Sequence, residues 1–264
     1  MAKKLVFRTV SMGSEPPIPD ARELALWVRT ERGRQADLSS FLIEEGLRPQ
    51  VDAGVDLPCA GGKFYRSRWL ESISGIKEGY ITDELGIMPG FVEDDAARVK
   101  SVSGGCRVAL PAPHLLDLTD RYYGDADESS AALFQQYRRL LRAMRDAGVA
   151  GHVLHCTAAI PEELEALAGK NVFFFLKDPD EESMATLLEH QRAIGIRGSQ
   201  LPLLLDHREE YEVTEVLILD PDAGELTNLL HSFDPDQIRV GGYCPEHCLE
   251  YWRALVDSAT VSVQ

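Results

Sequence analysis

The chain has no long apolar run, no internal repeat, no low-complexity tract and few cysteines, and each absence removes a class of protein. No segment approaches the ~20 apolar residues that a membrane helix needs. The opening Met1-Ala2-Lys3-Lys4-Leu5-Val6-Phe7-Arg8 begins as a secretion signal does, but Arg8 breaks its apolar run. A cytoplasmic protein is the expectation. Five cysteines, an odd number scattered over 264 residues, do not make a disulfide framework. Reduced thiols are expected. Basic residues are also in deficit: 27 Lys and Arg stand against 43 Asp and Glu, a formal charge of −16. Such a surface repels phosphate backbones and anionic lipid heads, so neither nucleic acid nor a membrane is an expected partner.

What remains is globular. With 44% hydrophobic residues the chain has enough apolar surface to offset the entropy of ordering. Its length suits one α/β barrel, and no linker divides it, so a single domain over residues 1–264 is expected.

Short apolar or β-branched runs alternate with helix-length segments, the pattern of parallel strands joined by helical crossovers. Strands are expected at Val6–Val10, Val55–Cys59, Arg107–Leu110, His152–Cys156, Val172–Leu176, Leu201–Leu205, Val216–Leu219 and Ile238–Val240. Helices are expected at Ala21–Thr30, Leu38–Leu47, Ser129–Ala147, Pro161–Leu167, Glu181–Ile194 and His247–Val256, with a short one at Asp222–His231. In Ser129–Ala147 the residues Leu133, Phe134, Tyr137, Leu140, Leu141 and Met144 recur at helical spacing. Gly79, Gly86, Pro89 and Gly90 interrupt Ile76–Ser103, which reads as an irregular excursion. The fold class is α/β, a (β/α)8 TIM barrel.

In such a barrel the C-terminal strand ends converge on one mouth, where chemistry is placed. The tips read Gly13-Ser14, Gly61-Gly62-Lys63, His155-Cys156, Lys177-Asp178, Asp206-His207 and Tyr243-Cys244. Lys63, Arg66 and Arg68 cluster beyond a Gly-Gly turn, which in an acidic protein points to an anion site or to a salt-bridged loop. His114 near Asp117 and Asp120 is a candidate acid or base, and equally a structural hydrogen-bonding residue. Tyr122-Tyr123 walls a pocket or packs. Cys244-Pro245-Glu246-His247-Cys248 reads as a turn with proline opening the last helix, in preference to a metal knuckle, for want of a second pair.

In order and spacing these segments resemble the catalytic barrel of cobalamin-independent methionine synthase and its relatives, with uroporphyrinogen decarboxylase more remote. The resemblance rests on Met12-Gly13-Ser14-Glu15-Pro16, Asp52-Ala53-Gly54-Val55-Asp56, Gly62-Lys63-Phe64-Tyr65-Arg66, Leu110-Pro111-Ala112-Pro113, Asp120-Arg121-Tyr122-Tyr123-Gly124-Asp125, and Asp236 to Cys244. It implies zinc as cofactor, with the family's last cysteine matched by Cys244 and its glutamate ligand by Asp206. The family's His-x-Cys pair should fall in Phe173–Asp178, where neither residue type occurs, so His155 and Cys156 complete the candidate set and His207 is a spare imidazole. Lys63 stands where the family has an ammonium-binding glutamate, which turns the pocket toward carboxylate, phosphate or sulfonate. The sequence has no room for the family's duplicated N-terminal barrel.

The resemblance thus implies a zinc-dependent methyl or alkyl transferase for a small thiol or anionic metabolite. Ser14, Lys63, Arg66 and Tyr123 would hold the substrate, while His155 and His114 would handle protons. Two alternatives stand beside it: a metal-independent lyase or decarboxylase using the same cations and histidines, and a non-catalytic barrel serving as a binding subunit. The partner expected is a small molecule, and a homodimer is left open.

Overall fold

The computed structural model describes residues 3–31, 36–246 and 248–263. The chain opens with β1 (Lys3–Val6), β2 (Arg8–Ser14), α1 (Ala21–Thr30), α2 (Leu38–Ala53), β3 (Cys59–Gly61) and α3 (Arg66–Glu71). It continues through β4 (Ile73–Lys77), β5 (Tyr80–Ile87), α4 (Phe91–Val102), β6 (Arg107–Pro111), β7 (Thr119–Asp120), α5 (Ala126–Asp146) and β8 (Gly151–Cys156). Next come α6 (Pro161–Leu167), β9 (Val172–Leu176), α7 (Glu181–His190), β10 (Ala193–Ile196), α8 (Leu201–His207) and β11 (Glu215–Leu219). The last elements are α9 (Ala223–Leu229), β12 (Ile238–Cys244), α10 (Cys248–Ser258) and β13 (Thr260–Val263).

Two parallel four-stranded sheets form the centre, in the orders β10-β11-β12-β2 and β3-β6-β8-β9. Their strands alternate with helices, as parallel crossovers require. The sheets meet where β2 passes the segment before β3: Val10 bridges Leu57, and Ser11 and Leu57 exchange backbone hydrogen bonds with Leu57 O and Thr9 O at 3.0 Å. The Asp56 carboxylate fixes this crossing by accepting from the Thr9 N–H at 2.8 Å and from its hydroxyl at 2.9 Å.

Side-chain alternation sorts the strands into two faces. Val10, Met12, Cys59, Ala109, Val153, Phe173, Phe175, Leu217 and Leu219, drawn from both sheets, make one buried interior cluster. The residues between them, such as Val108, Leu110, Leu154, Phe174, Val216 and Ile218, belong to a larger cluster shared with the helices. An apolar interior enclosed by strands and an apolar outer face under helices is the layering of an α/β fold.

Several expectations need correction. Leu201–Leu205 is not a strand: Pro202 opens helix α8 there, and the strand is Ala193–Ile196. The expected helix Glu181–Ile194 therefore stops at His190. Gln191 explains the stop, because its side chain pairs with the Phe174 backbone, accepting from N–H at 2.9 Å and donating to O at 3.0 Å. That amide mimics a strand neighbour and lays the following residues beside β9. Gly195 supports the approach, since a Cβ there would lie 3.4 Å from the Phe175 ring. A short run of leucines cannot be told from a strand by periodicity alone. The second strand begins later than expected, at Cys59, and the first divides into β1 and β2. The excursion at 76–103 is an antiparallel hairpin, β4 with β5, followed by α4.

Beneath the hairpin lies a charged core. Arg68 is buried and bonds Asp95 at 2.8 Å, Asp37 at 2.7 Å and Glu71 at 3.0 Å, and the Tyr65 hydroxyl donates to Asp95 at 3.0 Å. Removing one partner of such a set strands the other charge. Arg68→Met is expected to cost about 3–5 kcal/mol by leaving Asp95 without its cation, read as a lower urea midpoint, and Asp95→Asn in that background should recover part of the loss.

Candidate functional site

At the C-terminal strand ends the backbones of four sequence-expected residues, Ser14, Lys63, His155 and Cys244, lie near one another, but Ser14 and Cys244 turn their side chains toward the helices while His155 faces the interior. β12 and β2 pair in parallel with Cys244 opposite Ser14, across a register shift after Gly242. His155, at 8% exposure, bridges back to β2: its Nε2 lies 2.7 Å from Met12 O. A carbonyl only accepts, so this nitrogen carries the proton and Nδ1 is the free acceptor of the neutral ring. Burial pushes the His155 pKa down to about 4, and Lys63 adds to the depression. The ring lies 4.8 Å from the Tyr243 ring and 5.3 Å, edge on, from Phe175.

Glu15 links the remaining elements. Its Oε1 accepts from the Lys63 N–H at 2.6 Å and from the Tyr243 hydroxyl. Burial, and then Glu15, raise the Tyr243 pKa, so the phenol stays protonated. The Lys63 side chain itself is exposed at this mouth.

Two glycines bring the tips this close. Gly13 has φ +103°, and a Cβ there would lie 2.7 Å from Gly61 O. Gly61 has φ +79°, and a Cβ there would lie 2.3 Å from Ala109 O. Only glycine meets both the backbone angle and the spacing.

The sulfur chemistry is centred on a pair. Cys244, fully buried, and Cys248, at 7% exposure, have their sulfurs 3.0 Å apart. The Cys248 thiol is held below its ordinary pKa chiefly by the hydrogen bond from Cys244, and the Ser14 hydroxyl close by donates to Gly46 O at 3.1 Å. Cys248 also opens α10, where the helix dipole favours a thiolate. Cys244, the donor of the pair, is raised by that bond and by burial. Burial also raises Cys59 and Cys156, each to about 12, and Cys106.

Other expected members lie elsewhere. Cys156 follows His155 on β8, and adjacent strand residues face opposite sides; its side chain packs in the cluster under the helices. Asp206 is exposed on helix α8, not at a strand tip. The zinc set of Cys244, Asp206, His155 and Cys156 is therefore not assembled, and among the described residues no group of three or more His, Cys, Asp or Glu is placed to hold a metal ion. His247 lies outside the described residues.

Arg66 is not free for a substrate, since its guanidinium donates to Leu115 O at 3.1 Å and Leu116 O at 2.6 Å. Of the three clustered cations only Lys63 remains at the mouth. The Tyr123 hydroxyl accepts from the Leu85 N–H at 3.0 Å, which ties it to the hairpin. His114 forms a separate centre: Nδ1 lies 2.9 Å from Glu163 Oε2, and Nε2 accepts from the Thr157 N–H at 3.2 Å. His114 and Glu163 line a cavity of about 670 Å3.

Sequence reasoning passed over Glu163, gave Glu15 and Tyr243 no role beyond their place in a motif and a strand tip, and read Cys248 as part of a turn. Cys248 had a signal in its four-residue distance from Cys244 across a proline-opened turn. Glu163 had none beyond an acidic first helical turn.

No protein-family model matches the chain, and no curated protein matches it. Among solved structures, a B12-independent methionine synthase from a Shewanella species, in complex with selenomethionine, superposes with a TM-score of 0.68 at 14% identity, covering 96% of each chain. A dihydrodipicolinate synthase from Rhodopseudomonas palustris gives a TM-score of 0.45 at 14% identity, covering 95% of this chain and 75% of that one. A tryptophan synthase from M. tuberculosis gives 0.43 at 15% identity, covering 96% and 91%. At such identity the first likeness establishes the fold alone. No described helix is long and apolar enough to cross a membrane.

With the other four thiols raised, the ultraviolet thiolate band near neutral pH should come from Cys248. Titration should give one midpoint below the ordinary thiol value, lost in Cys248→Ser and shifted upward in Cys244→Ala.

Proposed function

We propose that the chain is a (β/α)8 barrel enzyme of the methyl- or alkyl-transfer class, acting at the mouth on a small thiol or anionic metabolite. The observation that carries this reading is the thiol pair, Cys244 at the end of β12 and Cys248 at the start of α10, with sulfurs 3.0 Å apart. Support for the class comes from the likeness in fold to the methionine synthase over nearly the full chain. No step is routed through zinc, because among the described residues the donors expected for it do not converge.

Each group has a role that its surroundings allow. Lys63 is the exposed cation that attracts the acidic end of the substrate. The Cys248 thiolate attacks the alkyl carbon: a carbon–sulfur bond forms, the bond from carbon to its leaving group breaks, and that group departs with the electron pair. Cys244 keeps its proton and stabilises the neighbouring thiolate by hydrogen bonding. His155, neutral and anchored on Met12, orients the tips as a positioning residue.

Iodoacetate and iodoacetamide separate this from ordinary thiol reactivity. Intact-mass kinetics should show a single alkylation at Cys248, with iodoacetate preferred. Lys63→Ala should abolish the preference by about tenfold, the equivalent of ~1.4 kcal/mol, and Cys248→Ser should remove the adduct. Alkylation spread over several cysteines, or a preference unchanged in Lys63→Ala, rules the reading out, as does abolition of the reaction by a strong chelator.

A second reading, a proton-transferring lyase, is favoured by the His114–Glu163 pair in its own cavity. Under it, turnover survives Cys248→Ser and fails in both His114→Gln and Glu163→Gln.

A further inference from the structure

At the end of the sheets opposite the mouth, a cavity of about 780 Å3 opens where β6, β8, β9, β10 and β11 begin. Arg107, the first residue of β6, lines it. Arg107 shares the strand face of Ala109, an interior residue, so its guanidinium enters the floor of the fold. One nitrogen, Nη2, donates to Ser11 O at 2.9 Å, while Nε is buried without a partner among the described residues. A guanidinium has five donors and keeps its charge at any physiological pH.

Three carboxylates line the cavity: Glu215 pairs with Arg239 at 3.4 Å, Glu212 with Arg192 at 3.2 Å, and Glu189 meets the Tyr211 hydroxyl at 3.5 Å, while no described carboxylate lies within ion-pair distance of Arg107. His152 contributes to the lining, but its neighbour Val153 faces the interior, so the buried His152 ring lies on the helix side. Lys170 stands exposed on its rim. In a chain of charge −16, a roomy recess lined by a half-buried arginine that has no ion-pair partner and an unbonded Nε is an arrangement that an anion would complete. The planar fork of arginine matches a carboxylate or a phosphate, and the space is that of a metabolite site.

We propose that this floor cavity is an effector site for a small carboxylate- or phosphate-bearing metabolite, anchored by Arg107 and remote from the mouth. Its contact with the mouth runs along β2: Ser11 O receives Arg107, and Ser14 ends the same strand. The proposal stands independently of the alkyl-transfer reading.

Calorimetric titration of the whole protein with inorganic phosphate and with citrate, at ionic strength fixed by chloride, tests it. Saturable binding of either anion at millimolar concentrations is expected, and the anion that binds tells phosphoryl from carboxylate chemistry. Affinity should fall at least tenfold in Arg107→Met. Lys170→Glu, on the exposed rim, should weaken it severalfold, and Ala193→Leu, which fills part of the lining, should do the same. Absence of saturable binding by both anions overturns the proposal. Binding unchanged in both Lys170→Glu and Ala193→Leu overturns it too, whether or not Arg107→Met folds.

Discussion

The register of β2 is the constraint on which the rest depends. This strand pairs with β12 on one side and bridges to Leu57 on the other, so it joins the two parallel sheets. Its position is fixed along its length by the Asp56 carboxylate at Thr9 and by the glycine contact at Gly13. A slip of one residue would turn Val10 and Met12 out of the interior. It would also part Ser14 from Cys244, Met12 O from His155, and Glu15 from Lys63 and Tyr243. The tertiary fold and the candidate site are thus set by one pairing.

The electrostatics of the mouth follow from enclosure. Burial favours the neutral forms of His155 and Tyr243, donation to Cys248 and then burial keep Cys244 protonated, and Cys248 is moved the other way by that donor. An acidic protein surrounds this centre, yet Lys63 remains exposed beside it. The arginines nearby in sequence are taken up by structure: Arg66 holds two carbonyls of the loop after β6, and Arg68 neutralises carboxylates under the hairpin.

The amino-acid pattern disclosed much of this. Helices with clear local punctuation, Ala21–Thr30 behind Asp20 and Pro161–Leu167 behind its proline, fall where the caps place them. The strand at Ala193–Ile196 was hidden, because its identity comes from Gln191 imitating a strand edge against Phe174, a contact made in space. That Ser14, Lys63, His155 and Cys244 end or follow strands at the same end of the sheets was legible from tip positions, whereas the side toward which each side chain turns was not. The zinc set was not sound even at that level: His155 and Cys156 are neighbours on a strand, and alternation forbids both from facing one centre. Arg66 and Arg68 misled for a related reason, since closeness in sequence on a helical turn does not make a common face.

The close passage of Gly13, Gly61 and Ala109 has a bearing on how such a protein diversifies. Where backbone rests on backbone, no larger side chain can be admitted, and the platform under the tips is closed to gradual remodelling. New substrate preferences must enter through the loops that leave the platform, such as the one carrying His114, while the strand ends stay as they are. The same tightness that gathers the reactive groups therefore confines evolutionary and engineering change to the rim.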